Sequence, residues 1–187
     1  MNDIFDLIER ELKERYAGWE GVDQFDGTGD RIRRLIDEMC WSTEDVEREL
    51  EKCFKAVFPD KFNEMLVSGP TSVWTLCPHH LVPCNFRVYI GYIPKGKVLG
   101  LSKFSRIAIT QGRLPIMQET YTRELARRFW ENLEPDGVGI YVVGRHGCIG
   151  CRGVTQEVSI STSSLLGSFL EEESTRGEFF HIVGKGS

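Results

Sequence analysis

The sequence predicts an α+β protein, with an N-terminal helical region at residues 1–60 and a sheet-bearing domain at residues 61–187. Three observations carry this. In the first third, apolar residues recur at helical spacing, as in Ile4, Leu7, Ile8 and Leu12. From Asn63 the period shortens to two, most clearly where Phe86, Val88, Ile90 and Tyr92 alternate with Arg87, Tyr89 and Gly91. Two more helical stretches then sit between strand-like ones, so the order after the first third is strands, two helices, strands.

Taken in order, residues 2–16 read as an amphipathic helix, and residues 18–29, rich in Gly and Asp, as a loop. A second helix is expected from about Asp30 to Met39, burying Ile32, Leu35, Ile36 and Met39. A third starts at Ser42 with Asp45 three residues on as a capping box, and buries Val46, Leu50, Phe54 and Val57. Met65-Leu66-Val67 reads as a strand, Ser68-Gly69-Pro70 as a turn, and Ser72 to Leu76 as a strand that delivers Cys77. Asn85 to Ile93 is a strand. Ser102 is the expected N-cap of a helix through Ile109, and Pro115 opens a longer helix to Leu133. Val138 to Gly144 and Gly153 to Ser161 are strands flanking the Cys148 loop, and Arg176 to Val183 is a short last helix.

Apolar residues at 41% and charged residues at 27% are ordinary for a water-soluble globular chain. A net charge of −5 predicts no general nucleic-acid or anionic-membrane surface, and no apolar run approaches the length of a membrane span. The opening residues Met1 to Asp6 are acidic and amphipathic rather than signal-like. A cytoplasmic protein is therefore expected, whose six cysteines serve metal or catalytic roles before disulfides.

The chemistry concentrates in two stretches. Cys77-Pro78-His79-His80 puts one thiol and two imidazoles within four residues, and His146-Gly147-Cys148-Ile149-Gly150-Cys151-Arg152 adds more donors. A catalytic zinc takes three Cys or His ligands and keeps one position open, and Cys77, His80 and Cys148 make such a set. Neither stretch has the paired CxxC…CxxC spacing of a closed structural site. His79 and His146 remain, suited to proton transfer near neutral pH or, for one of them, to supporting a ligand. Lys103 and Arg106 stand one helical turn apart just after Ser102, an arrangement that suits phosphate, with Arg152 and the run Ser161 to Ser164 as further contributors. The hydroxyl run equally reads as a helix cap. Gln118-Glu119 opens the long helix, where a buried Glu would accept two N–H bonds from a guanine edge and an exposed one would only face solvent.

Together these motifs resemble GTP cyclohydrolase I. The resemblance rests on Cys77-x-His79-His80-Leu81-Val82-Pro83, Ile90-Gly91-Tyr92-Ile93-Pro94, Val98 to Lys103, Gln118-Glu119 and His146-x-Cys148-x-x-x-Arg152-Gly153. Ser163, Gly167 and Thr175-Arg176-x-Glu178-Phe179 extend it, and it covers roughly residues 28–183. It implies the tunnelling fold, an antiparallel sheet with two helices on one face, whose subunits join into a ring, a homodecamer of two pentamers, with active sites between subunits. It implies conversion of GTP and water to 7,8-dihydroneopterin triphosphate and formate. Cys77, His80 and Cys148 would hold Zn2+, whose water attacks purine C8, while His79 and His146 transfer protons. Glu119 with Gln118 would recognise guanine. Lys103, Arg106 and Arg152 would bind the triphosphate, with Ser102 at the same pocket and Arg31 of Thr28-Gly29-Asp30-Arg31-Ile32 reaching in from a neighbouring subunit.

The chain departs from the family pattern at Pro78, where Glu is usual, and at Ile116 and Thr120, where Gln and Arg are usual. Cys151 is extra. It reads as a small residue on the next strand, with a competing ligand or a reversible disulfide to Cys148 as alternatives. Two other functions stand beside the main one: a related purine or pterin-pathway cyclohydrolase with altered substrate or product, and a non-catalytic zinc-binding ring module. The sequence leaves open whether the product feeds a folate, biopterin-type or 7-deazapurine route.

Overall fold

The computed structural model describes residues 3–185, so Asn2, the first residue of the expected opening helix, lies outside them. The chain divides into two compact units, one ending at Trp41 and the other beginning at Ser42.

In the first unit, α1 (Ile4–Arg15) is capped by the Asp3 carboxylate, which accepts from Phe5 N–H at 3.1 Å. A 3-10 turn at Val22–Phe25 breaks the expected loop, and Phe25 stacks on Tyr16 with centroids 5.6 Å apart. α2 (Thr28–Met39) begins two residues earlier than the sequence reading because Glu9 of α1 caps it from outside. The Glu9 carboxylate accepts from Gly27 N–H at 3.2 Å and Gly29 N–H at 3.0 Å. These bonds, with Lys13, hold the Glu9 carboxyl down at about 2. Two helices and a turn cannot enclose an apolar stripe. Ile32, Ile36 and Met39 are only half-buried and Leu35 is exposed, against the expectation that all four are covered.

The second unit opens with α3 (Thr43–Phe54), where Ser42 Oγ accepts from Asp45 N–H at 3.1 Å, as the capping box predicts. α3, which the sequence reading placed in the helical region 1–60, buries Val46, Leu50, Cys53 and Phe54 in the core of this unit. Val57 leaves that stripe for β1 (Val57–Pro59), which pairs antiparallel with β4 (Lys97–Leu99).

The main sheet is antiparallel, in the order β2 (Leu66–Leu76), β3 (Pro83–Ile93), β5 (Gly137–His146), β6 (Ser159–Gly167). β2 runs unbroken where a turn was expected at Ser68 to Pro70. A register shift between Ser68 and Thr71 absorbs the Gly-Pro pair, and β2 is an edge strand, where a residue without N–H is tolerated. Gly69, at φ +137, takes a conformation that other residues resist. α4 (Leu101–Gln111) and α5 (Gln118–Leu133) cover one face, over Phe86, Val88, Ile90, Val138, Ile140 and Val142. α7 (Ser168–Glu171) and α8 (Glu173–Lys185) supply Phe169, Phe179 and Val183 to a second apolar cluster around Tyr89. This last helix is longer than the expected 176–183. The Phe169 and Phe179 rings lie against Gly91 and Gly139, where a Cβ would come within 2.8 Å of them.

Three boundaries differ from the sequence reading for local reasons. Gly100, not Ser102, is the N-cap of α4, so Ser102 sits inside the first turn. α5 starts at Gln118 because the residues before it are extended, Met117 having ψ 146. β6 starts at Ser159 rather than Gly153, and the hydroxyl run Ser161 to Ser164 pairs with Tyr141 to Val142 and their neighbours on β5, so it is strand and not a cap.

Candidate metal and proton-transfer site

The connection between β2 and β3 is a tight six-residue turn, Cys77 to Val82. Cys77 N–H donates to Val82 O at 3.0 Å, and Leu81 N–H donates to Cys77 O at 2.9 Å. Pro78 presets the turn with its fixed φ. Leu81 closes it at φ +51, a left-handed conformation that costs a non-glycine residue about 1–2 kcal/mol. The turn keeps Cys77 buried and leaves His79 and His80 exposed. Cys77 Sγ lies 3.6 Å from His80 Nδ1 and 3.9 Å from His79 Nδ1.

Cys148 comes from α6 (Gly147–Gly150), a single turn directly after β5. Gly147 is what lets this turn close on the hairpin, since a Cβ there would stand 2.5 Å from Pro83 O and from Val82 Cγ1. The donor atoms of Cys77, His80 and Cys148 consequently lie within 4.8 Å of one another. With zinc–sulfur bonds near 2.3 Å and zinc–nitrogen bonds near 2.0 Å, tetrahedral ligands stand about 3.5–3.8 Å apart. Two thiols and an imidazole at these separations fit that ion. Arg152 Nη1 lies 2.8 Å from His80 Nε2, and arginine only donates, so Nε2 accepts and Nδ1 carries the ring proton. A metal ion held by His80 through Nδ1 would require the other tautomer.

His146, at the end of β5, is held by Gln118 at the start of α5. Gln118 is 2% exposed. Its Nε2 donates to Ile160 O at 2.9 Å, Thr162 Oγ1 at 3.0 Å and Val142 O at 3.3 Å. Two of those partners are carbonyls, which only accept, so the two N–H groups lie on that side and the amide oxygen faces His146, whose Nε2 lies 2.8 Å away and donates. His146 Nδ1 is left with the lone pair. Gly144 makes the room, because a Cβ there would stand 2.0 Å from Gln118 Oε1. Thr122 completes the set, with its hydroxyl 2.7 Å from that of Thr162. The Gln118 amide is thus spent inside the protein, and the neighbouring Glu119 is the exposed member of the pair.

Burial pushes the His146 imidazole below its ordinary pKa, opposed by the negative charge of Glu119. Burial also raises the Cys148 thiol and takes that of Cys84 up to about 11. Cys84, Gly144 and Thr122 had no part in the sequence reading, and Thr162 entered it only within the hydroxyl run offered for phosphate or a helix cap. Of these, Cys84 was visible in the alternation of β3, two residues before Phe86 and on the same face.

The structure therefore gathers Cys77, His79, His80, Gln118, Glu119, His146, Cys148 and Arg152. A cleft of about 580 Å³ opens beside them, lined by Trp74, Asn85, Arg145, His146, Cys151 and Ser159. Cys151 lies exposed at the end of α6 rather than on a strand, and is outside the three-donor group. Ser102, Lys103 and Arg106 do not reach this place within one chain. Ser105, in the same helical turn, lies beside Thr71, with hydroxyls 3.0 Å apart. Thr71 is six residues along β2 from Cys77, about 20 Å at a strand's rise of about 3.3 Å per residue. Arg31 belongs to the other unit, where it donates to Asp26 O at 2.8 Å. Ile116 packs against the main core.

The family model of GTP cyclohydrolase I matches residues 17–184. The GTP cyclohydrolase 1 of Hahella chejuensis is 38% identical over 160 residues, covering 84% of this chain and 85% of the relative. That of Campylobacter curvus is 41% identical over 129 residues, 68% of each chain, and that of Dictyostelium discoideum 36% over 152 residues, 80% of this chain and 66% of its own. Among solved structures, the archaeosine synthase QueF-Like in the apo form aligns with a TM-score of 0.42 at 20% identity, over 56% of this chain and 95% of that one. With the family matched across almost the whole chain, this protein belongs to the GTP cyclohydrolase I family.

Proposed function

We propose that the protein is a zinc-dependent GTP cyclohydrolase I that converts GTP and water to 7,8-dihydroneopterin triphosphate and formate. One observation carries the reading beyond family membership. The three donors Cys77, His80 and Cys148 converge beside an imidazole, His146, whose orientation and tautomer are fixed. Zinc held by those donors supplies an activated water for attack at C8 of the purine.

The remaining work falls to side chains. His146 offers Nδ1 as proton acceptor or donor while Gln118 holds Nε2, and burial favours the neutral ring. His79, exposed on the Cys77 turn, is placed to move the second proton. Glu119 accepts from the guanine edge, and Gln118 positions His146 rather than touching the base. Arg152, beside His80, binds the triphosphate.

Ser102, Lys103 and Arg106 are the other triphosphate binders, and their distance from Cys77 supports a site completed by a second subunit. In this reading the domain adopts the tunnelling fold and closes into a ring, a decamer of two stacked pentamers, in which Arg31 also reaches a neighbour's substrate. The enzyme works in the cytoplasm. Among the described residues no helix is long and apolar enough to cross a membrane.

The test is to incubate zinc-loaded protein with GTP and measure formate and, after oxidation and dephosphorylation, neopterin fluorescence. Both signals are expected. Formate alone would replace this reading with ring opening to a different product, and neither signal from zinc-loaded wild type and zinc-loaded Cys84→Ala alike would overturn it.

A further inference from the structure

Cys148 belongs to two groups of metal-type donors. The first is the set with Cys77 and His80. In the second, donor atoms of Cys84, His146 and Cys148 also lie within 4.8 Å of one another. The fold builds this second group directly. Cys84 and His146 are opposite residues in the β3–β5 ladder, which brings their side chains together on the helix-covered face. Cys148 follows two residues later, folded back by the α6 turn.

A buried cysteine is by itself an ordinary small apolar residue, and the Cys84 thiol makes a long contact, 3.8 Å, to Val82 O. Three features set this one apart. Its neighbours are a thiol and an imidazole, and two sulfurs with one nitrogen are a tetrahedral zinc set. His146 already has what a metal-bound imidazole needs, an acceptor behind its other nitrogen, in Gln118 Oε1 at 2.8 Å. The nitrogen with the free lone pair is then Nδ1.

We infer that Cys84, His146 and Cys148 form a second seat for the divalent ion, sharing Cys148 with the first. The inference rests on the zinc reading given above. It has a functional consequence. An ion in the first seat leaves the His146 lone pair free for proton transfer, whereas an ion in the second occupies it and leaves His80 without metal. Protein with its ion in the second seat is metal-loaded and inactive, so metal content and activity need not run in parallel.

Cobalt(II) binding to zinc-stripped protein, followed by thiolate-to-cobalt absorption in the absence of GTP, tests this. His80→Ala removes a donor of the first seat from an exposed turn. This variant is expected to keep one cobalt per chain with two-thiolate absorption, and adding Cys84→Ala should weaken binding at least tenfold. Cys77→Ser provides a second route. It should retain the two-thiolate spectrum, which falls to about half in Cys77→Ser/Cys84→Ala, one thiolate instead of two. Circular dichroism confirms that each variant is folded. Equal cobalt affinity for His80→Ala with and without Cys84→Ala, or an unchanged spectrum on adding Cys84→Ala to Cys77→Ser, would overturn the second seat while leaving the zinc reading intact. Wild-type protein that binds no cobalt would overturn the zinc reading itself.

Discussion

Replacing Gly144 by alanine is the smallest change that strikes the bond between Gln118 and His146, since the new Cβ would also stand 3.0 Å from His146 Nε2. The added methyl would stand 2.0 Å from Gln118 Oε1 and 2.9 Å from its Cδ. Ordinary contact is about 3.5 Å, so the amide must retreat by more than about 1 Å. It has nowhere to go, because its other end is tied to Ile160 O, Thr162 Oγ1 and Val142 O at 2.9–3.3 Å. Overpacking of this kind costs about 1–3 kcal/mol, and the lost bond to His146 adds about 1. The sum, about 2–4 kcal/mol, lowers Tm by roughly 5–15 °C for a chain of this size. The proposed zinc donors Cys77, His80 and Cys148 are elsewhere, so metal content is expected to stay near wild type while kcat for formate release falls. Scanning fluorimetry at fixed protein concentration, zinc analysis and the formate assay read the three quantities. Gln118→Ala added to Gly144→Ala removes the clash, so the double variant should melt well above the sum of the single losses. A Gly144→Ala enzyme with wild-type Tm and kcat would refute the Gln118–His146 arrangement.

Four other outcomes are expected. Cys148→Ser should lose zinc and activity together, and retained metal by elemental analysis would remove Cys148 from the ligands. His79→Ala should keep its zinc and lose turnover, whereas near-normal formate release would take His79 out of the mechanism. Lys103→Ala and His79→Ala chains, each inactive alone, should recover activity when co-assembled one to one, because about a quarter of shared sites then carry neither change; no recovery would place Lys103 outside its neighbour's site. Finally, Glu9 is a carboxylate whose folded pKa is depressed to about 2 from 4.5, so its contribution to the first unit is present above pH 4.5 and is lost as pH falls from there toward 2. Hydrogen exchange of peptides covering Gly27 and Gly29 should accelerate over that window, relative to intrinsic rates, in wild type and not in Glu9→Gln.

The convergence of Cys77, His80 and Cys148 was legible in the sequence because their chemistry is local. Cys77 and His80 share one turn, and Cys148 stands two residues after the strand that ends at His146, so residue type and spacing already suggested a metal set. The capping box at Ser42 and the alternation of β3 were equally local, and both are found in the structure. What escaped was decided by tertiary partners. α2 starts early because Glu9, some twenty residues away, caps it. The serine run on β6 looked like a cap because serine has little strand preference, and it is a strand because β5 offers it a ladder. Gln118 looked like a base-reading residue. Only the positions of Ile160, Thr162 and Gly144 reveal that its amide is already used up.

The basic residues show a different limit. Lys103 and Arg106 have the right chemistry for a triphosphate and sit about 20 Å of strand from the donors that would act on the same nucleotide. An extended GTP does not close that gap by bending α4, whose core face is fixed by Phe104, Ile107 and Ala108 at 0% exposure. The helix cannot slide along the sheet either, since the Ser105–Thr71 bond ties it there. If both sets of residues serve one substrate, they must come from different copies of the chain. The edges of the main sheet are where another copy would attach. Among the described residues β2, which leads into Cys77, and β6, which is tied to Gln118, each pair on one side only. A strand added at β2 brings foreign side chains to the margin of the Cys77 turn without disturbing the turn itself. The mixing of Lys103→Ala and His79→Ala chains is therefore a test of geometry as much as of chemistry.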